Sequence, residues 1–186
     1  ATMSSDMATL KSSFVVRSPE KPSAGTLGVL LKGAGFASAR DESYTVQSYI
    51  LSRDALQALA TEVGLDKAWA SPDVDRISRF AGLDPDSSFE ALHRYYQGKV
   101  KVLTDSTTSI STLTVKAFTA QDAVRANQLL LDRSEALVNR LNERGRNDLI
   151  RFAQTEVDHA ANKAKDAALA LSAFRNKQGV IDPERQ

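Results

Sequence analysis

The sequence predicts an α+β fold: a small sheet of about three strands covered by helices, with one very long C-terminal helix projecting from it. Three observations carry that expectation. Short β-type segments at Phe14–Arg17, Lys99–Val102 and Leu113–Ala117 are bounded by polar or proline-containing loops. Apolar residues recur at helical spacing across 43–63 and again from Phe89 to Tyr96. From Ala120 to Gln178 there is no proline, and Gly145 is the single glycine.

The opening ATMSSDM is polar, lacks the apolar centre of a secretion signal, and reads with the rest of 1–11 as an added leader and linker. A base domain then occupies 12–118. FVVR at Phe14–Arg17 is its first strand, ended by Pro19 and the loop EKPSAG. Residues 26–32 allow one or two helical turns before the GAG loop at 33–35. Val46, Ile50, Ala55, Leu56, Leu59 and Val63 make 43–63 one amphipathic helix, closed by Gly64. PDVDRISRFAG at 72–82 has proline at its start and glycine at its end, the punctuation of a short helix. Ser87 or Ser88 opens a further helix stopped by Gly98.

Two strands follow, each with one apolar and one wet face, joined by the polar hairpin loop TDSTTS. Thr119 caps the long helix of 119–178, with Asp122 reaching back to it. Gly179 and Pro183 stop that helix, leaving 179–186 as a turn and tail. A helix of that length would run on the order of 85 Å, more than a domain of this size is wide, so its apolar stripe needs a neighbour. Gly145 costs about 1 kcal/mol against alanine, and Asn147 or Asp148 offers a new cap, so a bend near 145 is as compatible with the pattern as a straight helix.

Composition narrows the function classes. Hydrophobic residues at 42% and charged residues at 25% are globular values, and 24 Lys+Arg against 23 Asp+Glu leave a net charge of +1, without the basic excess of a nucleic-acid binder. The absence of cysteine removes disulfides, thiol catalysis and thiolate metal sites. No apolar run approaches the roughly 20 residues that span a bilayer. His93 and His159 fall on different helices without metal-ligand spacing, and DPDSS at 84–88 reads as a turn and helix cap. No phosphate loop, dinucleotide fingerprint or serine-hydrolase elbow is present, so no catalytic, metal or cofactor site is expected.

Two patterns on the long helix suggest assembly. Leu149, Ala153, Val157, Ala160, Ala164, Ala168 and Leu171 repeat with a period of about eleven residues, which keeps the seam on one face of a nearly straight helix. Arg133, Arg140, Arg144 and Arg151 project within about 20° of a common direction over roughly 27 Å. Such a stripe suits carboxylates of a neighbouring subunit or an acidic polysaccharide; its plain alternative is a solvated face with Glu143 and Asp148 as local partners. Thr107, Thr108 and Ser109 offer hydroxyls to a sugar, although hairpin turns use the same residue types. Trp69, Tyr95 and Tyr96 read as core.

FVVRSP at Phe14–Pro19, YTVQSYILSRDAL at Tyr44–Leu56, VKVLTDSTTSISTLTVKAF at Val100–Phe118 and LNERGRND at Leu141–Asp148 resemble the capsule polysaccharide export inner-membrane proteins of the Wzz-like, or polysaccharide co-polymerase, superfamily. The resemblance covers nearly everything after residue 12. It implies a non-enzymatic periplasmic domain of a Gram-negative inner-membrane protein, anchored by membrane helices outside this sequence. It also implies homo-oligomers around a capsule ABC transporter, connected to an outer-membrane polysaccharide exporter. An O-antigen-type chain-length regulator is the related alternative, and an acidic-carbohydrate-binding module is a third. Carried over by position, Leu141–Asp148 is the family-like segment of the long helix, and Arg140, Glu143 and Arg144 are expected at subunit contacts; the arginine stripe and apolar seam add Arg133, Arg151, Leu149, Val157 and Leu171 as candidates.

Overall fold

The computed structural model describes residues 6–16 and 39–178. The expected loops and helical turns between Pro19 and Gly35, and the terminator at Gly179 and Pro183, lie outside them. Strand β1 spans Ala8–Val15. Helix α1 covers Ala39–Ile50, α2 Arg53–Ala58, then a single π turn Leu59–Val63, and α3 Leu65–Trp69. Helix α4 is Phe89–Lys99, β2 is Val100–Thr104, β3 is Ile110–Ala117, and α5 runs Ala120–Lys177. The three strands form an antiparallel sheet in the order β1-β3-β2. The expected α+β class and strand number stand.

β1 starts at Ala8, six residues before the expected strand, so part of the segment read as leader pairs along β3 down to Ala8↔Ala117. Its alternation is real, but Ser12 occupies one of the positions facing the helices and disguises it. The inward face of the sheet, with Val100, Val102, Leu113, Val115 and Ala117, packs on Val46, Ile50, Leu56, Leu59, Leu65, Trp69 and Tyr96. Ala123, Ala126 and Leu130 bring the first turns of α5 into the same core. On β3, one residue past its first pairing with β2, the Lys116 carbonyl accepts from the Trp69 indole N–H at 3.3 Å. Trp69 also meets the Tyr95 ring edge-on at 5.4 Å between centroids. An aromatic placed this way contributes burial and satisfies a buried carbonyl together.

The amphipathic run 43–63 is not one helix. It breaks at Leu51 and Ser52, where the Ser52 hydroxyl accepts from the Ala55 N–H at 3.2 Å and starts α2. The freed Leu51 carbonyl is taken by His93 Nε2 at 2.9 Å, and Ile50's carbonyl by the Tyr96 hydroxyl. Gly64 closes the π turn at φ 72, as its residue type requires. Residues 72–82 are turns rather than a helix. Ser71 Oγ accepts from the Asp73 N–H, and Asp75 Oδ1 from the Ile77 and Ser78 N–H groups, so side chains capture amides a helix would use.

Ser88 caps α4 through the Ala91 N–H at 3.2 Å, and the helix passes Gly98 to end at Lys99. At α5 the Thr119 hydroxyl accepts from the Asp122 N–H at 3.1 Å and donates to Asp122 Oδ2 at 2.7 Å, a variant of the expected box. Helical hydrogen bonding continues through Gly145 without a second start at Asn147 or Asp148. The chain divides after Asn142 into two units, Ala1–Asn142 and Glu143–Gln186.

Candidate assembly surface

α5 begins as core and ends as surface. In the first unit Ala123, Ala126, Asn127, Leu130 and Ser134 are buried, at the spacing of one helix face. In the second unit Leu149 is half-buried, and every residue from Ile150 to Gln178 is exposed. Val157 and Leu171 remain 62% and 51% exposed, with Ile150, Phe152, Leu169 and Phe174 also open. Phe174 projects beside the alanine seam, while Leu169 falls about opposite it. The four additional large apolar residues were not picked out by the eleven-residue spacing, because they lie off its register.

The arginines divide into used and unused. Arg133 Nη2 pairs with Glu62 Oε1 on the π turn, fastening α5 to the base. Arg151 Nη2 meets Asp148 Oδ1 at 2.6 Å, a local pair one turn away. Among the described residues, Arg140, Glu143 and Arg144 make no ion pair. Tyr49 registers the charge nearby: burial raises its hydroxyl pKa, while Arg133 first and Arg140 more weakly pull it down. Arg140 belongs to the first unit and Arg144 to the second. Solvated arginine pairs of this kind are worth a fraction of a kcal/mol each, so neither Arg140 nor Arg144 is explained by stability.

The hairpin loop is accounted for by turn chemistry. Asp105 Oδ1 accepts from the Thr107 and Thr108 N–H groups at 2.7 and 3.3 Å, and those bonds hold its carboxyl below the ordinary range. Ser109 adopts φ 58, and its N–H reaches the Asp105 carbonyl at 2.8 Å. These bonds use the backbone amides of Thr107, Thr108 and Ser109, while the Thr108 hydroxyl accepts from the Ile110 N–H at 3.4 Å. Asp84 and Asp86 likewise accept from the Asp86 and Ser88 N–H groups. His93 is buried against Tyr96, and His159 is exposed on α5. No group of three His, Cys, Asp or Glu able to hold a metal occurs among the described residues. None of their helices is long and apolar enough to cross a membrane. A bidentate pair the sequence did not announce, Arg53 to Glu90 at 2.8 and 2.7 Å, joins α2 to α4.

Comparison with known proteins follows the chain nearly end to end. It is 42% identical over 183 residues to the capsule polysaccharide export inner-membrane protein CtrB of Neisseria meningitidis, covering 98% of this chain and 47% of that protein. It is 41% identical over 179 residues to BexC of Haemophilus influenzae, which carries the same description, covering 96% of this chain and 47% of the relative. KpsE of Escherichia coli, again so described, matches at 25% identity over 95% of this chain and 46% of its own length. The chain spans about half the length of the curated relatives it matches. No family model matches it.

Proposed function

Given that the chain is a homologue of the capsule polysaccharide export inner-membrane proteins, we propose that it is a non-catalytic scaffold of a capsule export system, working on the periplasmic side of the inner membrane. In this reading it assembles with further copies of itself around an ABC transporter and connects that transporter to an outer-membrane exporter. The observation that carries the proposal is the uniform exposure of α5 from Ile150 onward. A helix that keeps Val157, Leu171 and Phe174 in water within its own chain is suited to a neighbour's surface. Its alanines permit close approach, and the length of the contact would compensate for the small area each one buries.

Arg140, Glu143 and Arg144 are the proposed polar contacts between copies, since no ion-pair partner among the described residues engages them. Arg133 and Arg151 sit at their edges, with Leu149, Val157 and Leu171 supplying the apolar part. Introduced into the native gene, Arg140→Glu with Arg144→Glu is expected to weaken the detergent-extracted oligomer and lower surface capsule. Normal assembly together with normal capsule would remove these residues from the proposal. Deletion of the gene is expected to abolish surface capsule; a changed polysaccharide length distribution instead would favour a chain-length regulator. Titration with an acidic oligosaccharide that saturates at Arg140 and Arg144 would favour a carbohydrate-binding module.

A further inference from the structure

The side of the sheet turned away from the helices carries a pattern that neither the core nor the assembly helix uses. Antiparallel partners share a face, so the register writes its rows directly. Thr9 stands opposite Lys116; Lys11 and Lys101 flank Thr114; Ser13 and Leu103 flank Thr112; Val15 stands opposite Ile110. One end of the face is cationic, the middle is hydroxyl-lined, and the other end is aliphatic. With strands about 4.8 Å apart and rows about 7 Å apart, the patch measures roughly 10 by 20 Å.

The outward positions of these three strands carry no carboxylate. Lys11 and Lys101 are exposed and Lys116 half-covered, and none of the three forms an ion pair among the described residues. Lys99, the next cation along, is turned instead over the Tyr95 ring at 4.8 Å. Just past the aliphatic rim, Asp105 follows β2 in the chain, and its carboxylate is held by the loop amides. Ser13 Oγ and Thr112 Oγ1 lie 3.4 Å apart, so part of the hydroxyl ladder is already knit together. Leu103 is 71% exposed, with Val15 and Ile110 at 48% and 40%. Three ammonium groups on one face without counter-charge give it a positive potential that favours an anionic partner.

We propose that this sheet face, which no described element covers, docks on an anionic phospholipid surface, with Lys11, Lys101 and Lys116 among the phosphates and Leu103, Ile110 and Val15 at the headgroup–acyl boundary. The aliphatic end decides between anionic partners. A soluble polyanion would engage the lysines and leave Leu103 in water, whereas a bilayer surface takes both ends of the patch. The inference does not depend on the export role and rests on other residues than the α5 contacts.

The test uses the 186-residue chain and vesicles of phosphatidylglycerol and phosphatidylethanolamine in equal parts, with phosphatidylcholine vesicles as the neutral control. Flotation is expected with the anionic vesicles alone and to weaken as salt rises. Each of Lys11→Gln, Lys101→Gln and Lys116→Gln should lower partitioning roughly fivefold, and the triple variant by about a hundredfold. Leu103→Ser with Ile110→Ser should weaken binding too, and circular dichroism should show every variant folded, since all these positions lie on the wet face. The chain has no cysteine, so an environment-sensitive fluorophore on Leu103→Cys should shift to the blue on vesicle addition. Failure of the folded wild-type chain to float with anionic vesicles overturns the proposal, as does wild-type binding by the triple variant. Binding of soluble polygalacturonate that matches vesicle binding and ignores Leu103→Ser would replace it with a polyanion site.

Discussion

The two units of this chain spend apolar residues in opposite ways. In the first, Trp69, Tyr96, Leu56, Leu59, Leu65 and Leu113 are withdrawn from water almost entirely around one sheet. In the second, Val157, Leu169, Leu171 and Phe174 stay exposed although helical order persists to Lys177. The difference teaches where stability resides. The base is held by tertiary burial, whereas the 143–178 stretch depends on local helix propensity, for which its alanines, lysines and glutamates are well suited. A surface left apolar by a folded chain is more informative about partners than a buried one, whose residues are explained by packing.

That contrast can be broken experimentally. The largest effect is expected from Trp69→Ala, which removes a fully buried ring and the indole bond to Lys116; urea unfolding should show a loss of about 3–5 kcal/mol. Equal loss from Leu171→Ala in the isolated chain would mean the second unit has a hidden core. Alkali gives the next test. Burial raises Tyr95 to about 12 from its ordinary value near 10.0, so its contribution is intact below about pH 10 and is lost as pH climbs toward 12. Because Tyr95 is only partly covered, its share of the slope should be modest; Tyr95→Phe should reduce the slope, and Tyr96 and Tyr49, which burial also raises, should supply what remains.

Ser52→Ala should cost about 1 kcal/mol by uncapping α2, read as a lower urea midpoint. Gly145→Ala should favour the helix by about 1 kcal/mol, seen as slower amide exchange across 143–178 while the urea midpoint of the base stays unchanged. Leu171→Ser, at the small end, should shift the isolated chain by no more than about 0.5 kcal/mol.

What the sequence made legible was local. The alternation of β2 and β3, the caps at Ser88 and Thr119 and the glycine at Gly64 are each decided within a few residues, and each stands. The break at Leu51 and Ser52 was hidden because apolar spacing continues across it from Ile50 to Ala55; the Ser52 cap is local, but the His93 contact that takes the freed Leu51 carbonyl, 42 positions away, is tertiary. Residues 72–82 carried helix punctuation, yet Asp75 held the amides. For the assembly surface the same division applies. The arginine spacing was readable, but Arg133 finding Glu62 across 71 residues was not, and that pair removes one member of the stripe from the free set. The lysine rows of the sheet needed the register of β1, half of which the inward Ser12 concealed.

Trp69 is the sole tryptophan of the chain, and it is sealed beneath the sheet. Its fluorescence therefore watches the base, with the first turns of α5, and is blind to the helix beyond Asn142, which ellipticity records together with the rest. A single heating run followed by emission and by circular dichroism will record two different events, and the gap between their midpoints will measure how independently the halves melt.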